Sequence, residues 1–151
     1  MMKMKLHILL LVIFAIANGS CPESTSNVLS EGQQPQVAID LNGIVRLVFG
    51  REGKIYCSTS SDDAVTFTEP KLVGEVKGVH LGMSRGPQVA SSRNYTFITA
   101  IDKRGTIHSF QLDHGTNQWS ESSIINDIPN SAPEGLMGIA ADQNDSFTLS
   151  G

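Results

Sequence analysis

Pro35-Gln36-Val37-Ala38 returns as Pro87-Gln88-Val89-Ala90, an offset of 52 residues, and the meaning of this pair decides the fold. At the same offset Asn42 returns as Asn94, Gly53 as Gly105 and the aromatic Phe67 as Trp119, so the two copies align without a gap. A third copy opens at Met137-Gly138-Ile139-Ala140-Ala141 and reaches Gly151 before it is half built. A fixed period of roughly 50 residues marks stacked supersecondary units, none of which buries its apolar face alone.

Within each copy, short apolar runs alternate with turn residues, the pattern of a β-meander. The first copy predicts strands at Gln36–Asp40, Ile44–Phe49, Lys54–Ser60 and Lys71–Val76. The second predicts Val89–Ser91, Tyr95–Ile101, Thr106–Leu112 and Trp119–Ile125, and the third Gly138–Ala141 and Ser146–Leu149. Asn42-Gly43 and Gly53 stand where tight hairpins need positive φ. No segment beyond residue 20 carries sustained helical periodicity, so the chain reads as all-β. Four short strands per repeat make the unit of a β-propeller, of which closed examples have roughly four to eight blades. The expected architecture over residues 35–151 is therefore a partial β-propeller of about two and a third four-stranded blades. Its last strand is expected to leave an open edge. That implies a native polypeptide that continues, or a truncated reading of a longer gene, or a small protein whose partners cover its edges. An isolated 22–151 segment is then expected to aggregate or express poorly.

Residues 1–20 read as a secretory signal peptide. Lys3 and Lys5 form a basic start, Leu6 to Ala17 is an apolar run interrupted only by His7, and Asn18-Gly19-Ser20 is small and polar. The run is too short and wrongly flanked for a membrane span, so no transmembrane helix is expected in the mature, exported chain. An N-terminal core helix or membrane anchor is the competing reading. Cys21 stands where a bacterial lipoprotein signal places its lipidated cysteine, with Ser20 and Gly19 at the small positions and Asn18 at the position usually aliphatic. Lipid anchoring at Cys21 and ordinary cleavage near Gly19 or Ser20 both remain open. The Ser-, Glu-, Gly- and Gln-rich stretch 21–34 reads as a flexible tether. Cys57, inside a predicted strand, is expected as a buried small hydrophobe, or as a partner of Cys21 in an oxidising compartment. Two cysteines make neither a disulfide scaffold nor a zinc site, and no metal or cofactor is expected. Without the signal's two lysines, 9 basic residues face 15 acidic ones. With no basic stripe and no interleaved aromatics, nucleic acid is not an expected partner.

Between the third and fourth strands of the first copy lies Ser60-Ser61-Asp62-Asp63-Ala64-Val65-Thr66-Phe67. It resembles the Asp-box, the Ser-x-Asp-x-Gly-x-Thr-aromatic turn of sialidases and related BNR-repeat propellers. Ser60, Asp62, Thr66 and Phe67 match, and Ala64 stands where that family has glycine. Asp and Ser oxygens suit a structural turn because they accept its backbone N–H groups. Asp113 and Gly115 resemble a degenerate copy in the second repeat. Ser84-Arg85-Gly86-Pro87-Gln88-Val89-Ala90 and Pro133-Glu134-Gly135-Leu136-Met137 resemble blade-opening segments of the same group.

The resemblance implies a six-bladed complete protein with the Asp-box on the face opposite the active site. The ligand face then comprises Arg51-Glu52-Gly53, Lys103-Arg104-Gly105, Lys77 to Arg85 and Asn126 to Glu134. Sialidases grip a substrate carboxylate with arginines, whose planar fork matches it bidentately. Arg85 and Glu134, at matching blade-opening positions, are the substrate-binding candidates, followed by Arg51 and Arg104. His80, Asp102 and Asp127 are weaker candidates, and neither Tyr56 nor Tyr95 is placed to serve as a nucleophile. The resemblance implies an exported exo-α-sialidase-like glycosidase, removing a terminal sialic acid or similar acidic sugar, that lacks a full catalytic set in these residues. The alternative is a non-catalytic BNR-repeat propeller that binds glycan or protein at a cell surface. Asn94-Tyr95-Thr96 and Asn144-Asp145-Ser146 are also glycosylation sequons.

Overall fold

Alternation of apolar and polar residues in short runs, separated by Asp, Asn and Gly, produces strands and tight turns throughout. The computed structural model describes residues 31–151; the stretch read as a signal peptide, Cys21 and the rest up to residue 30 lie outside the described residues. Strands β1 (Gln33–Ile39), β2 (Val45–Arg51), β3 (Lys54–Ser60) and β4 (Lys71–Glu75) form one antiparallel sheet in chain order. A second sheet takes β5 (Gln88–Ser91), β6 (Tyr95–Ile101), β7 (Ile107–Asp113) and β8 (Gln118–Trp119), with β9 (Ser123–Ile124) also pairing on β7. Strands β10 (Gly138–Ala141) and β11 (Phe147–Ser150) form a third, two-stranded sheet. The chain is thus all-β and antiparallel, none of its sheets closes on itself, and no helix occurs among the described residues.

The sheets stack face to face. Val48, Ile55, Cys57 and Val73 of the first sheet meet Ile98, Ala100 and Phe110 of the second, joined by Val76 and Val79 from the connecting segment. Burial of an apolar side chain contributes about 1.5–3 kcal/mol, so this seam is the main cohesive element between the two sheets. The second sheet turns its other face to the third, where the Phe97 and Phe147 rings sit 5.3 Å apart. Strand β5 lies beside both β1 and β10. Hairpin turns are stapled from sheet to sheet as well: Asn42 Nδ2 donates to Arg93 O (3.1 Å), and Asn94 Nδ2 donates to the Asp145 carboxylate (2.7 Å). On the first sheet's outer face Val37 and Ile39 are exposed.

The strands at Lys54–Ser60, Tyr95–Ile101 and Gly138–Ala141 fall where the sequence predicts them, and most others shift by a residue or two. Strand β1 starts at Gln33, inside the stretch read as tether, because Gln33 pairs with Gly50 across a bulge. The predicted outer strand Trp119–Ile125 is instead split into β8 and β9. Ser120 Oγ accepts the Gln111 N–H (3.0 Å) while Ser120 N donates to Gln111 O (2.7 Å), and Glu121-Ser122 leaves the ladder before Ser123 rejoins at Ser109.

The ungapped repeat also conceals two compensating changes. The β1–β2 turn spans Asp40 to Ile44, whereas Ile39 and Val45 correspond to Ser91 and Thr96, one residue closer in sequence. The β2–β3 turn is the two-residue Glu52-Gly53, whereas β6 and β7 are joined by a loop one residue longer, closed by Asp102 N to Thr106 O (3.0 Å). Deletion and insertion cancel, and the offset returns to 52 by β7. Had they not cancelled, every β7 side chain would have changed face. Cys57 is a buried free thiol, pushed up to about 11 by burial and lowered only in part by nearby Arg46.

Candidate functional site

Antiparallel order sends the turns to two ends. The β1–β2, β3–β4, β5–β6 and β10–β11 connections lie at one, the hairpin end. The β2–β3 and β6–β7 turns and the segment from β4 to β5 lie at the other, the linker end.

At the hairpin end, Ser60–Phe67 folds into a closed turn. Asp62 Oδ1 accepts from Thr66 N (2.9 Å) and Ser60 Oγ (2.7 Å), Asp62 Oδ2 accepts from Thr66 Oγ1 (2.6 Å), and Ser60 Oγ accepts from Ala64 N (3.0 Å). The Thr66 hydroxyl and amide, with Ser60, hold the Asp62 carboxyl down at about 2. Ala64 has φ +66°, so it occupies with a methyl group the left-handed conformation that glycine adopts freely. Phe67 is half-buried. Asp113 anchors the corresponding turn of the second sheet, its Oδ1 accepting from Gly115 N (2.7 Å) and Thr116 N (3.0 Å). All of these contacts are internal to turns.

Behind this end a buried polar chain joins the first two sheets. Arg46 Nη1 donates to Asp40 Oδ2 (2.6 Å) and to Ser91 Oγ (3.4 Å), Ser91 Oγ bonds Thr96 Oγ1 (2.6 Å), and Thr96 Oγ1 bonds His114 Nε2 (2.9 Å). His114 Nδ1 lies 2.9 Å from Arg93 O, which only accepts, so Nδ1 donates there. Asp40 Oδ1 meanwhile accepts from Asn42 N (2.8 Å) and Ile44 N (2.9 Å). Burial alone would raise Asp40, but the Arg46 guanidinium and these amides outweigh it and hold the carboxyl below its usual range. This network is structural, and an Arg within the apolar run Ile44–Phe49, preceded by an Asp, was its sequence signal.

At the linker end Arg85 and Glu134 do meet, although not through their charges. Arg85 Nε donates to the main-chain oxygen of Glu134. Gly135, at φ +67°, makes that approach possible: a β-carbon there would lie 2.8 Å from His80 Cδ2 and 3.0 Å from Arg85 Cδ. Arg85 is half-buried, and among the described residues neither Nη has a hydrogen-bond partner and no carboxylate is within ion-pair distance. Glu134 lines a cleft of about 550 Å³ between the second and third sheets, with Ile107, Ser131, Leu136, Met137 and Leu149. His80, one of the weaker candidates, is half-buried, and its Nε2 is enclosed without a hydrogen-bond partner among the described residues.

The other candidates lie apart from this pair. Arg51 stacks over the Tyr56 ring, 4.5 Å from its centre, and Tyr56 in turn stacks on Phe49 (5.7 Å) on the sheet face turned away from the second sheet. Arg104 is engaged by Asp102 Oδ2 (3.2 Å). Burial pushes Asp102 up, but the Thr106 and Arg104 amides and the Arg104 guanidinium outweigh it and hold the carboxyl at about 2. His108 Nε2 sits 3.7 Å from the same oxygen. Tyr95 opens β6 at the hairpin end. Among the described residues no three His, Cys, Asp or Glu side chains converge as a metal site, and no helix is long and apolar enough to cross a membrane. No protein-family model matches the chain, and no curated protein matches it significantly.

Proposed function

We propose that the chain is an Asp-box, sialidase-like β-propeller module, exported from the cell, that binds a carboxylated sugar at its linker end. The observation that carries this reading is the Arg85 fork. Its Nε is fixed on the main-chain oxygen of Glu134, a residue that lines the cleft, and among the described residues neither terminal nitrogen has a counter-ion. A guanidinium so positioned suits a ligand carboxylate, which it engages through two parallel hydrogen bonds. The cleft volume falls within the roughly 300–1,000 Å³ usual for small-ligand sites. The stacked antiparallel meanders and the closed Ser60–Phe67 turn at the opposite end support the propeller part of the reading.

Hydrolysis of the bound sugar is the activity that the resemblance implies, with non-catalytic glycan recognition as its alternative. The described residues favour recognition. Asp102 stays ionised down to about pH 2 and so cannot donate a proton near neutrality, while Tyr56 is committed to the Arg51–Phe49 stack. The full chain should be titrated with methyl α-N-acetylneuraminide by saturation-transfer NMR and incubated with the 4-methylumbelliferyl glycoside. Saturation transfer without released fluorophore supports recognition alone, release supports the glycosidase, and the absence of both removes the reading.

A further inference from the structure

Of the nine lysines and arginines among the described residues, six fall at the linker end: Arg51, Lys54, Lys77, Arg85, Lys103 and Arg104. Glu52, Glu75, Asp102 and Glu134 share this end, so the pairing of individual residues decides where an anion is favoured. We propose that Lys77, Lys103 and Arg104 form a second anion subsite there. The ligand is accordingly an acidic oligosaccharide charged on more than one residue, and this inference rests on the reading of Arg85 as its first contact.

The subsite is held by backbone geometry. Lys103 N donates to Gly78 O (2.8 Å), His80 N donates to Ile101 O (2.8 Å), and Val79 bridges to Asp102, so the connecting segment is pinned along the β6–β7 turn. This ladder places Lys77 and Lys103 on one cleft of about 340 Å³, completed by Gly78, Asp102 and Arg104. Both lysines also line the adjoining cleft of about 760 Å³, with Lys54, Leu81, Glu52 and Glu75. Charge matching separates the residues. Lys54 is paired with Glu75 (3.5 Å) and Arg104 with Asp102 (3.2 Å), whereas neither Lys77 nor Lys103 has an ion-pair partner among the described residues. The smaller cleft therefore carries three cations against one carboxylate. Like charges held together by a hydrogen-bonded ladder repel each other, and a bound anion relieves that repulsion. Arg85 lies on the same connecting segment as Lys77, at the same end of the sheets, and an extended ligand held by the Arg85 fork would have this cleft as its second contact.

The test uses the full chain, methyl α-N-acetylneuraminide and the α2,8-linked trimer of N-acetylneuraminic acid. Wild type should bind the trimer roughly tenfold tighter than the monosaccharide, as two exposed ion pairs allow. The variant Lys77→Gln/Lys103→Gln should lose that excess and keep the monosaccharide affinity. Both lysines are exposed, so an unchanged unfolding midpoint certifies the variant's fold. A trimer that binds no tighter than the monosaccharide, or an excess that survives the double substitution, overturns the subsite and leaves the Arg85 reading standing. Trimer binding that survives Arg85→Ala and disappears with the lysines keeps the subsite and removes Arg85. Binding of neither sugar removes both.

Discussion

Replacing Asp40 by Asn should be among the most damaging single changes at the hairpin end. Asp40 and Arg46 are both almost fully buried, and their ion pair is 2.6 Å long. Asparagine preserves the shape and the oxygen that accepts from Asn42 and Ile44, but it sets an NH2 donor where Oδ2 accepts from Arg46, so the charge and that hydrogen bond are lost together. Arg46 would then be a buried cation whose remaining partner is the Ser91 hydroxyl, its Nε already lacking one. Breaking one side of a buried pair costs about 3–5 kcal/mol, against a total stability of about 5–15 kcal/mol. With a urea slope near 2 kcal/mol/M, the unfolding midpoint should fall by about 2 M. Adding Arg46→Met should recover part of the loss, because it removes the unpaired buried cation. The sign of the pH dependence follows from the direction of the Asp40 shift. Its folded value lies below the unfolded one of about 3.9, so the stabilisation is full above that pH and is lost as pH falls through the folded value. Acid should therefore weaken wild type at this site and spare the double variant. An Asp40→Asn cost under about 1 kcal/mol, or a double variant as unstable as the single, would refute the reasoning.

Three further outcomes are expected. Ala64→Gly should stabilise the protein by about 0.5–1 kcal/mol, since it relieves a methyl group at φ +66°, and a lowered melting temperature would count against this. The Asp62 carboxyl should titrate by NMR near pH 2; as a depressed group it supports the turn above about pH 4 and releases it on acidification, and a midpoint near 4 would mean the Thr66 and Ser60 bonds are not formed in solution. Gly74→Ala should cost about 1–3 kcal/mol, because its β-carbon would run into the Phe110 ring in the seam between the first two sheets, and a neutral effect would show that the seam is loose.

Much of the fold was legible because apolar alternation and turn residues are local signals. Lys54–Ser60 and Tyr95–Ile101 could be read directly for that reason. Register was not, since it depends on turn lengths: the short Ser92–Tyr95 turn and the longer Asp102–Thr106 turn offset each other and left an apparently gapless repeat. The split of Trp119–Ile125 was hidden because a serine side chain, Ser120, takes over a backbone role. At the linker end, matching positions in the repeat singled out Arg85 and Glu134, which the structure brings into contact. They did not reveal that Arg85 bonds the Glu134 carbonyl, because that contact follows from Gly135 having no side chain. Arg51 and Arg104 were grouped with Arg85 by position on the turns, yet Tyr56 and Asp102 engage them first, and those partnerships are three-dimensional.

The central claim, that the Arg85 fork receives a sugar carboxylate, is tested most directly by the Arg85 Nε–Hε resonance in a nitrogen–proton correlation spectrum of the full chain. Titration with methyl α-N-acetylneuraminide should shift that signal saturably, together with the amides of Glu134 and Gly135, and leave the Ser60–Phe67 turn unmoved. A stationary Arg85 signal, or saturable shifts confined to the hairpin end, would contradict it.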